Sequence, residues 1–160
     1  MVRPMAAAEI VLARNAEDYA LAKTLFSEYA RDIDLDLSFQ DFNRELAEIH
    51  LQYGPSEGGI FILKVDGRPA GCVAVRRFEK ETAELKRMYV RPAYRGQGFG
   101  RRLGEEALAL ARRLGYQAIR LDTLPQMGKA LALYQSFGFV EIPAYRFNPV
   151  PGAKYYELKI

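Results

Sequence analysis

The sequence predicts an α/β fold: a mixed, mostly antiparallel sheet of about seven strands flanked by four helices. Three observations carry this. Two β-rich runs, residues 60–65 and 71–78, are joined by Asp66-Gly67-Arg68-Pro69, the composition of a hairpin turn. A third run, residues 84–90, empties into Arg95-Gly96-Gln97-Gly98-Phe99-Gly100, after which Leu103, Ala107, Leu110 and Leu114 recur at helical spacing. That helix leads into another β-rich run, residues 117–122, and one helix crossing between two strands favours their parallel pairing.

In chain order, residues 9–14 (EIVLAR) make a first strand. Asn15 and Asp18 form a capping pair for a helix to about residue 30, with Tyr19, Ala22, Phe26, Tyr29 and Ile33 on one face. An acidic linker, residues 31–37, precedes a second amphipathic helix over residues 39–51 that uses Phe42, Leu46 and Ile49. His50 closes it, where a lone histidine ordinarily serves the helix dipole. The glycine-rich residues 53–59 are a loop, and the three runs that follow make an antiparallel meander. Cys72 in the second run is a buried bystander. After the long helix and its strand come a helix over residues 129–137 and two strands, residues 140–142 and 155–160.

Composition narrows the class. With 160 residues, 49% hydrophobic and 27% charged, the chain is an ordinary globular protein with one core. No apolar run approaches the roughly 18 residues of a membrane span, so no membrane partner is expected. Residues 1–8 are too short for a signal peptide and read as a flexible end. A single cysteine excludes an internal disulfide and a cysteine-rich metal site, and a reducing cytoplasm is the simplest home.

A strand that ends in a glycine-rich turn at a helix start leaves backbone N–H groups pointing one way, toward an anion. A P-loop is excluded, because no Gly-Lys-Ser/Thr follows. A dinucleotide fingerprint fits poorly, since position 101 is Arg and residues 91–95 separate strand from turn; Asp122, near the distance of a ribose-binding acid, keeps that alternative open. Lys86, Arg87, Arg91, Arg95, Arg101, Arg102, Arg112 and Arg113 crowd this region against Glu84, Glu105 and Glu106. Nucleic acid is one reading of such a stripe. A phosphate-bearing cofactor ranks first, because it explains both the charge and the glycines, and no nucleic-acid partner is expected.

Arg95-x-x-Gly98-x-Gly100, preceded by Met88-Tyr89-Val90-Arg91-Pro92 and followed by Ala132-Leu133-Tyr134-x-x-x-Gly138-Phe139, resembles the GCN5-related N-acetyltransferase (GNAT) superfamily over residues 9–160. The resemblance implies an N-acetyltransferase domain over those residues, in which the two central parallel strands splay apart and acetyl-CoA enters the gap. It implies that the pyrophosphate sits on the backbone of Gly96, Gln97, Gly98, Phe99, Gly100 and Arg101, with Arg95 and Arg101 in support. Met88, Tyr89 and Val90 would pair with the pantetheine arm. Gln126 stands beside Met127, where such enzymes often carry an asparagine for the same arm.

The chemistry needs a proton acceptor for the amine, a donor for the oxyanion and an acid for the departing thiolate. The resemblance assigns the oxyanion to the Met88 N–H and the acid to Tyr134. Glu84, counted by twos from Met88 onto the same side of a regular strand with Lys86, and Asp122, which matches a catalytic acid of the ribosomal-protein alanine acetyltransferases, are the candidate bases beside water. No Ser-His-Asp or Cys-His arrangement is evident, which favours direct transfer without metal or covalent intermediate. The resemblance implies that the acceptor is held by residues 32–38 and 143–153; there Tyr145, Arg146 and Asn148, on a loop stiffened by Pro149 and Pro151, are the candidate contacts, and with the acidic first segment they suit a small amine or an amino acid. The alternatives are a protein N-terminus as acceptor, or a non-catalytic acyl-CoA sensor. A homodimer is allowed.

Overall fold

Alternation along the hairpin strands decides the layers. The computed structural model describes residues 7–34, 36, 37 and 41–160. Strand β2 (Gly59–Val65) sends Phe61, Leu63 and Val65 to one face, where they pack with Leu103, Ala107 and Leu110 of the long helix α4 (Phe99–Arg113). Its Ile60 and Ile62 go to the other face, against Ala22, Leu25 and Phe26 of α1 (Ala16–Asp32). The sheet therefore lies between two helical layers, each covering an apolar side.

The element order matches the sequence reading. β1 (Ala8–Leu12), β2, β3 (Arg68–Glu79) and β4 (Thr82–Val90) pair antiparallel in succession, then β5 (Ala118–Thr123), β7 (Lys154–Lys159) and β6 (Val140–Ile142) complete a seven-stranded sheet. The hairpin turn has both Asp66 and Gly67 at positive φ, 51° and 79°. Asn15 accepts from the Asp18 N–H at 2.9 Å, which is the expected cap, while Asp18 accepts from the N–H of Arg14, the residue before the cap, at 3.0 Å. The second helix differs from expectation: it breaks at Glu48 into α2 (Phe42–Ala47) and α3 (Ile49–Gln52), making five α-helices among the described residues with α5 (Gly128–Phe137). The expected start at Phe39 and residues 1–6 of the end expected to be flexible over 1–8 lie outside the described residues, whereas Ala7 donates to Asp66 and Ala8 already belongs to β1.

Two features of β4 shape the centre. It pairs with β5 in parallel only at Thr82↔Ala118, Ala83↔Ile119 and Glu84↔Arg120, and beyond that point the two strands run on unpaired with each other. This is the splay. Against β3, Cys72 faces Tyr89 but Ala74 faces Lys86, so β4 carries one extra residue, and Arg87 within it has φ 58°. Its guanidinium fixes that conformation. Arg87 Nε and Nη2 donate to the two carboxylate oxygens of Glu45 at 2.9 and 2.8 Å, and the same group lies over Tyr29 and Phe42.

The bulge corrects one expectation. Ala83 and Leu85 pack into the α4 side, so Glu84 and Lys86 face α1 to α3. The extra residue shifts the alternation, and Met88 packs on the α4 side. Glu84 and Met88 are on opposite faces, because counting by twos fails across a bulge.

Both partners of the Glu45–Arg87 pair are buried, with 1% and 2% of their side-chain surface exposed. Removing one charge leaves the other buried and uncompensated. Glu45→Gln should lower the unfolding free energy by about 3 to 5 kcal/mol in urea titration; a loss under about 1 kcal/mol would show that the pair does not hold the bulge.

Candidate active site

The splay opens into a cleft of about 950 Å³. Met88, Tyr89 and Val90 of β4 form one wall, Met127, Lys129 and Leu133 at the start of α5 another, and Tyr29 of α1 its depth. Gly96, Gly98, Phe99 and Gly100 line its mouth. Gly96 and Gly98 each have φ +80°, and a Cβ on either would meet no protein atom within 4 Å. Gly98 is also the N-cap of α4 and brings no capping side chain, so the N–H groups of the first turn open onto the cleft. Left-handed glycines ahead of an uncapped helix start make a cradle that suits a diphosphate in both shape and sign.

The arginines of this turn are anchored. Arg95 donates to the Val90 carbonyl at 2.8 Å and to Asp32 at 3.1 Å, tying the turn to the end of α1. Arg101 donates to Ser136 Oγ at 2.7 Å and lies over the Phe137 ring. Gln97 is exposed in the turn. Gln126 falls in the short 3₁₀ turn Pro125–Met127; its side chain lies outside the described residues, while the adjacent Met127 lines the cleft.

On the other face, at the root of the splay, Glu84 is a hub. Its side chain is 1% exposed. Arg76 Nε donates to Oε1 at 3.1 Å, the Tyr145 hydroxyl donates to Oε2 at 3.0 Å, Arg146 pairs with Oε2, and Lys86 Nζ lies 4.0 Å from Oε1. Burial works against its charge, but Lys86, Arg146 and Arg76 outweigh it and hold the carboxyl down at about 2. A carboxylate so stabilised is a weak proton acceptor. Burial and the neighbouring Arg87 push Lys86 down to about 7, against the pull of Glu84.

The loop between β6 and β7 folds onto this hub. Tyr145 and Arg146 reach Glu84, and Asn148 Nδ2 donates to Asp122 Oδ2 at 3.3 Å. Tyr145 packs edge-on against Phe78 and Tyr155, and the Tyr155 hydroxyl donates to the Arg146 carbonyl at 2.8 Å. The three residues singled out on the loop are thus brought to the two carboxylates singled out on β4 and β5. Arg146 differs from expectation in being ion-paired within the protein. Together with Arg76 and Arg77 it lines a second recess, of about 290 Å³, beside Gln52 and Glu57.

Tyr134 lies on α5. It is the buried residue of α5, 3% exposed and edge-on to Phe139, and sits in the middle of the inward face. Ala130, Leu131 and Phe137 flank it in the core, and Leu133 turns to the cleft. Burial raises its phenol well above the ordinary value, and the charges of Tyr29 and Asp122 add to this, so the hydroxyl keeps its proton. Cys72 is buried, with Sγ donating to the Arg87 carbonyl, and burial raises its thiol. His50 stacks edge-on to Tyr19, away from the cleft. Among the described residues no group of three or more His, Cys, Asp or Glu is placed to hold a metal. Among the described residues no helix is long and apolar enough to cross a membrane.

The profile described as acetyltransferase (GNAT) family matches residues 14–139. The chain belongs to the GNAT family. An uncharacterized N-acetyltransferase of Schizosaccharomyces pombe is 37% identical over 94% of this chain and 92% of its own length. An N-alpha-acetyltransferase RimI of Mycobacterium tuberculosis is 37% identical over 74% of this chain and 71% of its own. An N-acetylaspartate synthetase of Xenopus tropicalis is 32% identical over 78% of this chain and 46% of its own. The crystal structure of an acetyltransferase from Streptococcus agalactiae superposes with a TM-score of 0.78 at 26% identity, covering 96% of this chain and 98% of that one. This GNAT protein is an acetyl-CoA-dependent N-acetyltransferase.

Sequence reasoning missed Glu45 and Arg76 as members of the site. A signal existed for Glu45, which stands three residues after Phe42 and four before Ile49, a charge on an apolar helical stripe. Arg76 carried none, since its role depends on facing Glu84 across the β3–β4 ladder.

At Gly98 a valine would adopt φ +80° only with strain and would project its side chain where the protein leaves room. Gly98→Val should keep the circular dichroism spectrum and lose at least about tenfold in calorimetric affinity for acetyl-CoA; equal affinity would remove the turn from the cofactor site.

Proposed function

We propose that this acetyltransferase binds acetyl-CoA along the splay and transfers the acetyl group to the α-amine of a small, carboxylate-bearing acceptor. The observation that carries the reading is the parting of β4 and β5 after Glu84↔Arg120, at the same end of the sheet as the Gly96–Gly98 cradle. The gap offers backbone to the pantetheine arm along Met88, Tyr89 and Val90, and the cradle offers N–H groups from Gly96 to Arg101 to the diphosphate. Acetyl-CoA itself supplies the activated acyl group.

The residues then divide the work. The Met88 N–H, on the stretch of β4 released from β5, donates to the carbonyl oxygen as negative charge develops there. Tyr134, protonated and buried on α5, protonates the departing sulfur. Asp122, at the end of β5 and half-buried, receives the incoming ammonium. Glu84, bound by two guanidinium groups and Tyr145, positions the acceptor loop and takes no proton.

The acceptor class follows from charge. Asp34 lines the cleft and Asp122 stands at the end of β5, negative charge that attracts an amine. Arg76, Arg77 and Arg146 line the second recess, and a guanidinium has five N–H donors, so Arg146 retains some beyond its pair with Glu84. The names of the Xenopus and Mycobacterium relatives both point to an α-amine, and the former to one with carboxylates.

The acceptor reading is tested by thiol release from acetyl-CoA across a panel of amino acids, their amides, simple amines and short peptides. Amino acids should be the fastest, and Arg146→Ala should raise the KM for the amino acid while leaving that for acetyl-CoA unchanged. Amides or peptides that turn over as fast as the free acids would overturn it. For the acid, Tyr134→Phe keeps the ring and removes the proton, and kcat should fall on the order of 10²-fold with acetyl-CoA affinity intact. An unchanged kcat, with chemistry limiting, would return Tyr134 to a packing role.

A further inference from the structure

Lys86 is a buried amine that the roles above leave without a task. Its position follows from the ladder. Glu84↔Arg120 is the last pair between β4 and β5, and residues paired in a parallel ladder share a face. Lys86 and Asp122 each lie two residues further on, so they occupy facing positions on the same side, across the gap where the strands part. Lys86 still precedes the bulge, since it pairs with Ala74 in the regular register, and its side chain is 2% exposed.

We propose that Lys86 is the proton acceptor for the incoming amine, opposite Asp122 across the root of the splay. The inference rests on the splay being the reaction centre. Asp122 draws the acceptor in as its ammonium, and Lys86 Nζ takes one proton from it. The freed lone pair attacks the thioester carbonyl carbon, forming the C–N bond. The C–S bond breaks with its electron pair on sulfur, which takes the Tyr134 proton. The second surplus proton on nitrogen restores the Tyr134 hydroxyl, and Lys86 gives its own to solvent, so one proton is released per turnover.

The charge balance around Lys86 supports this. Facing it are Glu84 and Arg87 from β4, Arg76 from β3, Asp122 from β5 and Glu45 from α2, with Arg146 and Tyr145 of the loop reached through Glu84 and Tyr29 of α1 beside Arg87. Burial and the guanidinium groups of Arg87 and Arg76 favour the neutral amine against the pull of Glu84 and Asp122, in keeping with its displacement to about 7. That is the range in which a general base is half ready at neutral pH.

The test uses the intact chain. With the fastest amine of the panel and a second amine of different basicity, wild-type kcat should fall on an acid limb centred near pH 7 for both; a limb that tracks each amine's own pKa overturns the proposal. Lys86→Met and Lys86→Arg should keep acetyl-CoA affinity and lose about 100-fold or more in kcat. The arginine is decisive, because it preserves the charge and cannot release its proton. Wild-type kcat in either variant, or a raised acceptor KM in Lys86→Met that Lys86→Arg restores, overturns it. Should neither variant fold, the two-amine pH profile decides.

A readout independent of turnover is the stability difference between wild type and Lys86→Met. From pH 7 to 10 the unfolded chain holds a proton on Lys86 that the folded chain has released, so wild-type stability should rise with pH relative to the variant. A flat difference overturns the proposal. Failure of the cleft reading is a separate result, since it shows as wild-type protein without affinity for acetyl-CoA.

Discussion

The buried pair between Glu45 and Arg87 sits where the layout of the site is decided. It holds one residue of β4 at positive φ, and the bulge so formed lies just past the last contact between β4 and β5. A bulge bends its strand and increases the local twist. It also changes which face the following side chains take, which is why Glu84 and Lys86 look toward α1 to α3 while Met88 looks toward α4. The buried charges around Glu84 and the cleft wall at Met88 are thereby separated onto two sides of one strand.

The charges gathered under the acceptor loop form a connected set, from Glu45 and Arg87 through Arg76 and Glu84 to Arg146. Burying such groups is costly unless each is paired, and here the carboxylates are closely bound by guanidinium groups. The consequence is a division of roles among acids that look alike in sequence. Glu84 is held too acidic to accept a proton, whereas Asp122 accepts from Asn148 at 3.3 Å and has no guanidinium bound to it among the described residues. Lys86 experiences the other side of the same arrangement: surrounded by arginines and removed from water, it is the cation the cluster can most readily discharge.

The loop between β6 and β7 joins the two halves of the site. Tyr145 and Arg146 fasten it to β4, Asn148 to β5, and Tyr155 of β7 clasps its backbone. With those contacts made, Glu84 and Lys86 are almost wholly covered. Any molecule that reaches these carboxylates must therefore displace or share contacts with this loop, which couples access to the arrangement of the charges beneath it.

Local chemistry was legible in the sequence. The Asp66-Gly67 hairpin, the Asn15 cap, the glycine turn ahead of α4 and the seven strands all follow from short-range rules, because turn residues, caps and periodicity act within a few positions of one another. The splay that opens the cleft was implied only by the family resemblance, since it depends on where two strands stop pairing. What only the tertiary structure decided is the state of the charged residues. Glu84 and Asp122 are both carboxylates near one strand end, and their difference comes from Arg76, eight residues away along the chain, and from Arg146 and Asn148, on a loop that returns from far down it. The split of the second helix, the inward placement of Tyr134 and the bulge at Arg87 are of the same kind. Each depends on a partner brought near by folding, so neither spacing nor composition within a segment could reveal it.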